Sequence, residues 1–181
     1  MLYTEKRVTL KDGREAVLRA PRETDAEALT EYMIRRAEET DFMLRDPDEC
    51  GTPEETAVSI RGINASPINM MIVCEVWGEI AGCCELHRLN LRKTFHRAEL
   101  SAGTLKAYWG LGIGTILFQE MIGVARKSGI TQLELAVFEG NERAMGLYRK
   151  LGFEVVAVRP NCVHWKDGSR LKAYSMFLSL E

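Results

Sequence analysis

Tyr108 to Gly114 reads Y-W-G-L-G-I-G and runs directly into the amphipathic stretch T-I-L-F-Q-E-M-I-G-V-A. A strand-like apolar run near Leu100 to Leu105 precedes it, so the order is strand, glycine turn, helix. The first N–H groups of a helix have no partner within it, and that end carries a partial positive charge. Glycines at 110, 112 and 114 let a phosphate reach those amides with no Cβ in the way. The pattern points to a phosphorylated cofactor held by the backbone. A turn that merely reverses the chain is the competing reading. Counted from Gly110, the dinucleotide fingerprint G-x-G-x-x-G puts Thr115 where its third glycine belongs, and no G-K-S or G-K-T follows.

A second block, N-E-R-A-M-G-L-Y-R-K-L-G-F, starts at Asn141. Asn141 and Tyr148 are seven residues apart, two helical turns, and so share a helix face. An amide at the start of a helix can hydrogen-bond an amide-rich ligand. A phenol of pKa about 10 can donate its proton to a leaving group of similar basicity, such as a thiolate. The plainer alternative has Asn141 only capping the helix and Tyr148 only packing.

The elements that must carry these groups follow from periodicity and turn chemistry. Lys6 to Leu10 and Glu15 to Arg19 flank K-D-G-R and read as a hairpin with Asp12-Gly13 at its tip. Thr24 and Glu27 make a capping-box pattern for a first helix with Leu29, Tyr32, Met33 and Ala37 on its buried face. Residues 40–52 read as a loop. Thr52, Pro53 and Glu55 open a second helix that fades near Asn64. Met70 to Trp77 and Ile80 to Leu89 read as strands joined at Gly78-Glu79, followed by a strand from Ala98 to Lys106. The helix after the glycine turn starts at Leu111 or Gly112 and is closed by Gly129. A strand over Gln132 to Phe138, a helix over Glu142 to Leu151 and a strand over Phe153 to Arg159 come next. The turn K-D-G-S at 166–169 introduces a last strand, Arg170 to Leu180. Hairpins in the first half and β-α-β-α-β order in the second predict a mixed sheet in a single domain over residues 1–181.

Bulk properties narrow the function. A chain of 181 residues with 46% hydrophobic and 28% charged residues is an ordinary globular composition. A net charge of −2 gives no support to nucleic-acid binding. No apolar run approaches the roughly 20 residues that span a bilayer, and the N-terminus lacks a secretory core, so the cytoplasm is the expected compartment. The five cysteines contain no C-x-x-C and the three histidines lack ligand spacing, so no metal is expected. The cysteines read as inert, reduced side chains.

Taken together, R-A-E-L-S-A-G-T-L-K-A-Y-W-G-L-G-I-G and L-E-L-A-V-F-E-G-N-E-R-A-M-G-L-Y-R-K-L-G-F resemble the acetyl-CoA core of the GNAT superfamily of N-acetyltransferases, over residues 96 to 160. The resemblance implies an α+β, three-layer fold with a mixed, mostly antiparallel sheet, flanked by helices and splayed between its fourth and fifth strands. It implies acetyl-CoA as cosubstrate, its pantetheine lying in the splay. The fourth strand would contribute backbone groups of Ala102, Gly103 and Thr104. Gly110, Leu111, Gly112, Ile113, Gly114 and Thr115 would cradle the pyrophosphate, Asn141 would meet the amide-bearing arm, and Tyr148 would sit near the sulfur. Some relatives place a carboxylate base near the start of the fourth strand, where this chain has Glu99, with Glu139 and His96 in reserve. Two positions depart from the family. Trp109 stands where Arg or Gln is frequent, leaving Arg126, Lys127, Arg143 or Arg149 as sources of charge for the phosphates. Ala136 stands where some relatives carry a glutamate, which excludes a base there.

The implied reaction is direct acetyl transfer in a ternary complex to a primary amine on a small molecule or peptide. A non-catalytic acyl-CoA sensor of the same fold is the alternative. The acceptor pocket would draw on the first two helices and on residues 40–52 and 160–169. Asp41, Asp46, Asp48 and Glu49 would favour a cationic amine. A homodimer, the commonest symmetric assembly, is the oligomer to expect if one forms.

Overall fold

A computed structural model of the chain describes residues 1–165 and 167–181. Lys166, the first residue of the expected 166–169 turn, lies outside the described residues. Eight strands and four α-helices occur among the described residues, in an α+β arrangement with both antiparallel and parallel strand pairs. The chain groups into two compact units, Met1–His87 with Ser101–Met121, and Arg88–Leu100 with Ile122–Glu181.

In the first unit, β1 (Lys6–Thr9), β2 (Glu15–Arg19), β3 (Met70–Val76) and β4 (Glu79–Arg88, of which this unit takes the part to His87) pair in sequence order, each antiparallel to the next. The β3–β4 loop is Trp77-Gly78, one residue earlier than the sequence suggested, because Val76 pairs with Glu79. Both loop residues have positive φ, 51° and 85°, which a two-residue hairpin of the tightest kind demands. Ile72, Val73, Cys74, Ala81 and Cys84 are fully or almost fully buried, so β3 and β4 are covered on both faces. That explains their continuous apolar run in place of alternation.

Helix α1 spans Ala26–Glu39 and α2 spans Pro53–Ala65. The Thr52/Glu55 box forms as expected: Glu55 N–H donates to Thr52 Oγ1 at 3.3 Å and Thr52 N–H to Glu55 Oε2 at 2.9 Å. The Thr24/Glu27 box does not. A 3-10 turn at Glu23–Asp25 precedes α1, and Asp25 takes the N-terminal role by accepting from Arg22 N–H at 2.6 Å. Asp25 is drawn there by Arg19, which is 5% exposed and forks onto it at 2.6 and 3.0 Å. Pairing a buried guanidinium outweighs a local serine- or threonine-type cap. Leu29 and Tyr32 are buried as the helical period predicts, whereas Met33 and Ala37, expected on the same face, are only half-buried. Thr30, buried in their stead, meets Thr56 Oγ1 of α2 through its Oγ1 at 2.7 Å.

In the second unit, β5 (Arg97–Thr104, of which this unit holds the part to Leu100) pairs parallel with β6 (Gln132–Phe138). β6 pairs antiparallel with β8 (Arg170–Ser179), and β8 with β7 (Glu154–His164). The last strand therefore inserts between β6 and β7, which sequence order alone does not reveal. β7 runs five residues beyond the expected Arg159, carried by a register shift between Arg159 and Val163 where Asn161 takes φ 52°. The registered pairs of β5 with β6 end at Glu99 and Glu134, while β6 stays paired with β8 to Phe138. A splayed pair requires such an edge on β6 beyond Glu134, so the strands expected as fourth and fifth are the fifth and sixth of this chain, β5 and β6.

Helix α3 (Ile113–Lys127) carries residues of both units and closes at Gly129, φ 70°. Helix α4 (Glu142–Lys150) lies in the second unit.

Candidate functional site

In the first unit the end of β5 and the glycine turn are stitched together by side chains. Tyr32 Oη donates to the Gly103 carbonyl at 2.8 Å, and Trp109 Nε1 donates to the Thr104 carbonyl at 2.8 Å. Trp109, at the position where the resemblance implied Arg or Gln, pins the glycine turn to the strand that precedes it. Two of the carbonyls expected to face a cofactor arm are consequently already bonded from within the protein.

Gly110 and Gly112 adopt φ of 83° and 94°, backbone that residues with a Cβ avoid. The helix begins at Ile113, later than the sequence suggested, and its first bond is Ile116 N–H to Gly112 carbonyl at 3.0 Å. The amides of Ile113, Gly114 and Thr115 therefore form its unpaired first turn. Gly114 lies inside the helix, so only Gly110 and Gly112 are required by backbone conformation.

The structure adds Lys11, which sequence reasoning missed. Its N–H donates to the Leu111 carbonyl at 3.1 Å, and its methylenes pass 3.6 Å from where a Cβ on Gly112 would stand. The first hairpin thereby brings an ammonium group to the glycine turn. Arg126 and Lys127, considered for that role, occupy the last turn of α3. No local pattern in K-D-G-R signals this placement, because it depends on a tertiary contact.

Beside α1, a cleft of about 220 Å³ is lined by Glu31, Tyr32, Arg35, Glu79 and Leu105 among others. Arg35 Nη1 bonds Glu79 at 2.5 Å and Tyr108 Oη donates to the same carboxylate. Burial, and then the Glu79 carboxylate, push the Tyr108 phenol up to about 12. Arg14 lies 5.2 Å from the Trp77 ring and 5.4 Å from that of Tyr108.

In the second unit, Asn141 caps α4, its Oδ1 accepting from Ala144 N–H at 3.2 Å. Tyr148 lies on the same helix, its ring 6.1 Å from that of Phe153. Glu99 is exposed on β5. The neighbouring Arg97 is engaged elsewhere: its guanidinium forks onto Glu134 at 2.5 and 2.8 Å, so it does not tie up the Glu99 carboxylate. Of the reserve bases, Glu139 pairs with Lys172 at 2.8 Å, and His96 is exposed and offers its carbonyl to Thr131 and Gln132 N–H.

Cys50, Cys74, Cys83 and Cys84 are buried and Cys162 is exposed. Burial raises the Cys74 thiol to about 12 and drives Cys83 and Cys84 upward as well, which keeps them protonated and unreactive. Among the described residues no group of three or more His, Cys, Asp or Glu could hold a metal, and no helix is long and apolar enough to cross a membrane.

Comparisons with known proteins identify the family and the fold. The model of the acetyltransferase (GNAT) family matches residues 27–153, well over half of the chain. The N-alpha-acetyltransferase RimI of Mycobacterium tuberculosis is 34% identical over 95 residues, which is 52% of this chain and 58% of the relative. The matched region thus spans little more than half the length of that curated relative. A GNAT-family acetyltransferase from Streptococcus pneumoniae superimposes with a TM-score of 0.86 at 28% identity, covering 91% of this chain and 99% of its own. The yncA protein of Salmonella typhimurium, solved with its cofactor acetyl-CoA, shares the fold at a TM-score of 0.80 and 22% identity, over 92% and 94% of the two chains. This chain belongs to the acetyltransferase (GNAT) family.

Proposed function

We propose that the protein is an acetyl-CoA-dependent N-acetyltransferase that passes the acetyl group directly to a primary amine. The observation that carries this reading is the turn at Gly110 and Gly112. Both glycines hold positive φ, three unpaired amides follow, and Lys11 lies alongside. A pyrophosphate is the ligand such a helix start suits. Family membership supports acetyl-CoA as the ligand and acetyl transfer as the reaction class.

Ala102, Gly103 and Thr104 would offer backbone groups to the pantetheine arm, as a strand edge does to a peptide. Gly110 to Thr115 would hold the diphosphate, and Asn141 would meet the arm's amides. The amine must be neutral to attack, because an ammonium has no lone pair. Glu99 would take its proton, directly or through water. Attack on the thioester carbonyl gives a tetrahedral oxyanion, which a backbone N–H of β5 would stabilise. Collapse re-forms the carbonyl, breaks the C–S bond and expels the thiolate, which takes the Tyr148 phenolic proton. The extra proton left on the nitrogen by the attack passes to the Tyr148 phenolate, directly or through water, leaving a neutral amide. The high thiol pKa values argue against an acyl-cysteine route.

Two measurements test this. Calorimetry should register acetyl-CoA binding, and an amine panel should release coenzyme A thiol above the hydrolysis background. Binding without turnover against every amine would identify an acyl-CoA sensor instead, and no binding would end the reading.

The Lys11 assignment makes a separate prediction. Lys11→Met should raise the KM for acetyl-CoA about tenfold, the value of one charge-assisted contact, with kcat little changed. An unaltered KM at low salt would remove Lys11 from the cofactor site.

A further inference from the structure

Arg36 stands apart from the other inward-facing arginines of the first unit. It lies on α1, one turn after Tyr32 and largely out of solvent, with part of its surface still accessible. Its Nε is buried and bonded to nothing. Nη1 reaches Tyr32 Oη only at 3.4 Å, and the guanidinium carbon lies 5.3 Å from the Tyr32 ring centroid. Among the described residues it makes no ion pair, whereas Arg19 holds Asp25 and Glu75 and Arg35 holds Glu79. The acid whose field it feels, Glu85, is bonded to His87 Nε2 at 2.8 Å.

An arginine cannot escape this position by losing its proton. Removing a guanidinium from water without a carboxylate or a full set of acceptors is costly, and natural proteins pair such groups. A charge kept at that cost, and still reachable, marks a place where a ligand completes the pair.

The location indicates which ligand. Arg36 is pressed against β5 at Gly103: a Cβ built there would stand 2.4 Å from both Arg36 Cδ and Nη1. Glycine at 103 therefore makes room for this side chain. Gly103 belongs to the stretch assigned above to the pantetheine arm, so the guanidinium lies beside the strand expected to carry the thioester. The acidic loop gives weaker guidance toward a cationic acceptor, since Glu49 spends Oε2 on the Asp46 amide at 3.0 Å.

We propose that Arg36 is the anion receptor of the acceptor site, and that the acceptor is an amine bearing a carboxylate, of the amino-acid class. The carboxylate would take the unpaired face of the guanidinium, turning the amine toward β5. This rests on the N-acetyltransferase reading, and the test separates the two.

Thiol release is measured for L-amino acids against their carboxamides, compared at equal free-amine concentration. The wild type should favour the carboxylates about 30-fold or more in kcat/KM, the scale for loss of one buried charge pair. Arg36→Met should abolish that preference with the acetyl-CoA KM unchanged, and Arg36→Lys should restore part of it. Because Arg36→Met removes an unpaired charge, it should fold and melt no lower than the wild type. Equal use of acids and amides, or a preference that survives Arg36→Met, overturns the receptor and leaves acetyl transfer standing. Calorimetry with N-acetyl-amino acids in the presence of coenzyme A gives a readout independent of turnover. Equal affinity in the wild type and Arg36→Met also overturns it. Absence of thiol release with every amine sinks the enzyme reading itself.

Discussion

Tyr148→Phe is expected to lower kcat about 100-fold while leaving the KM for acetyl-CoA within a factor of two or so, the low end of what a positioned acid contributes. The substitution is conservative for the fold. The aromatic ring that meets Phe153 at 6.1 Å and 58° is retained. The Tyr148 carbonyl still accepts from Phe153 N–H at 2.9 Å. The phenolic hydroxyl is lost and the ring kept, so a fall confined to kcat separates proton donation from packing. Steady-state kinetics with saturating acceptor decide the matter: an unchanged kcat would take Tyr148 out of the mechanism.

Arg19→Met should cost about 3 kcal/mol of stability near neutral pH, because it strands two carboxylates that the guanidinium had paired in a mostly dry setting. Arg19 bonds Glu75 at 2.7 and 2.9 Å as well as Asp25, and so joins β2 to β3 and to the start of α1. Burial works to raise the Asp25 carboxyl. Hydrogen bonds from Arg19 and the Arg22 amide, with their charges, outweigh it and hold Asp25 below its usual range. A depressed carboxyl contributes stability above its unfolded pKa of about 3.9, and the contribution fades as pH falls through the lower folded value. The difference between wild type and Arg19→Met should therefore be largest near pH 7 and shrink below about pH 4. Urea melts at pH 7 and pH 3 measure it. A gap that does not narrow in acid would exclude the Asp25 pairing as its source.

Most of the architecture was legible because its signals are local. The Thr52 cap, the Gln132–Phe138 strand, the Asn141 cap and the turn at Gly110 and Gly112 each depend on residues within a few positions of one another. What escaped the sequence was non-local. Asp25 displaced the Thr24 cap because Arg19 competes for it from β2. β8 entered beside β6, a pairing that side-chain alternation cannot specify. Lys11 reached the glycine turn across a hairpin, and Arg36 found Gly103 across the helix-to-strand interface of its unit. The glycine turn and α4 could be read from their spacing, whereas the charges that would select phosphate or acceptor could not. Charged side chains on separate elements leave no mark of periodicity.

The bond from Trp109 to the Thr104 carbonyl also provides an optical handle. The chain has three tryptophans, and Trp77 is 80% exposed, which makes it a strongly water-quenched, red-shifted emitter. Trp109, held at the hinge of the glycine turn, should respond to whatever settles there. With Trp77→Phe lowering the background, a fluorescence titration could follow the arrival of coenzyme A with no chromophore added.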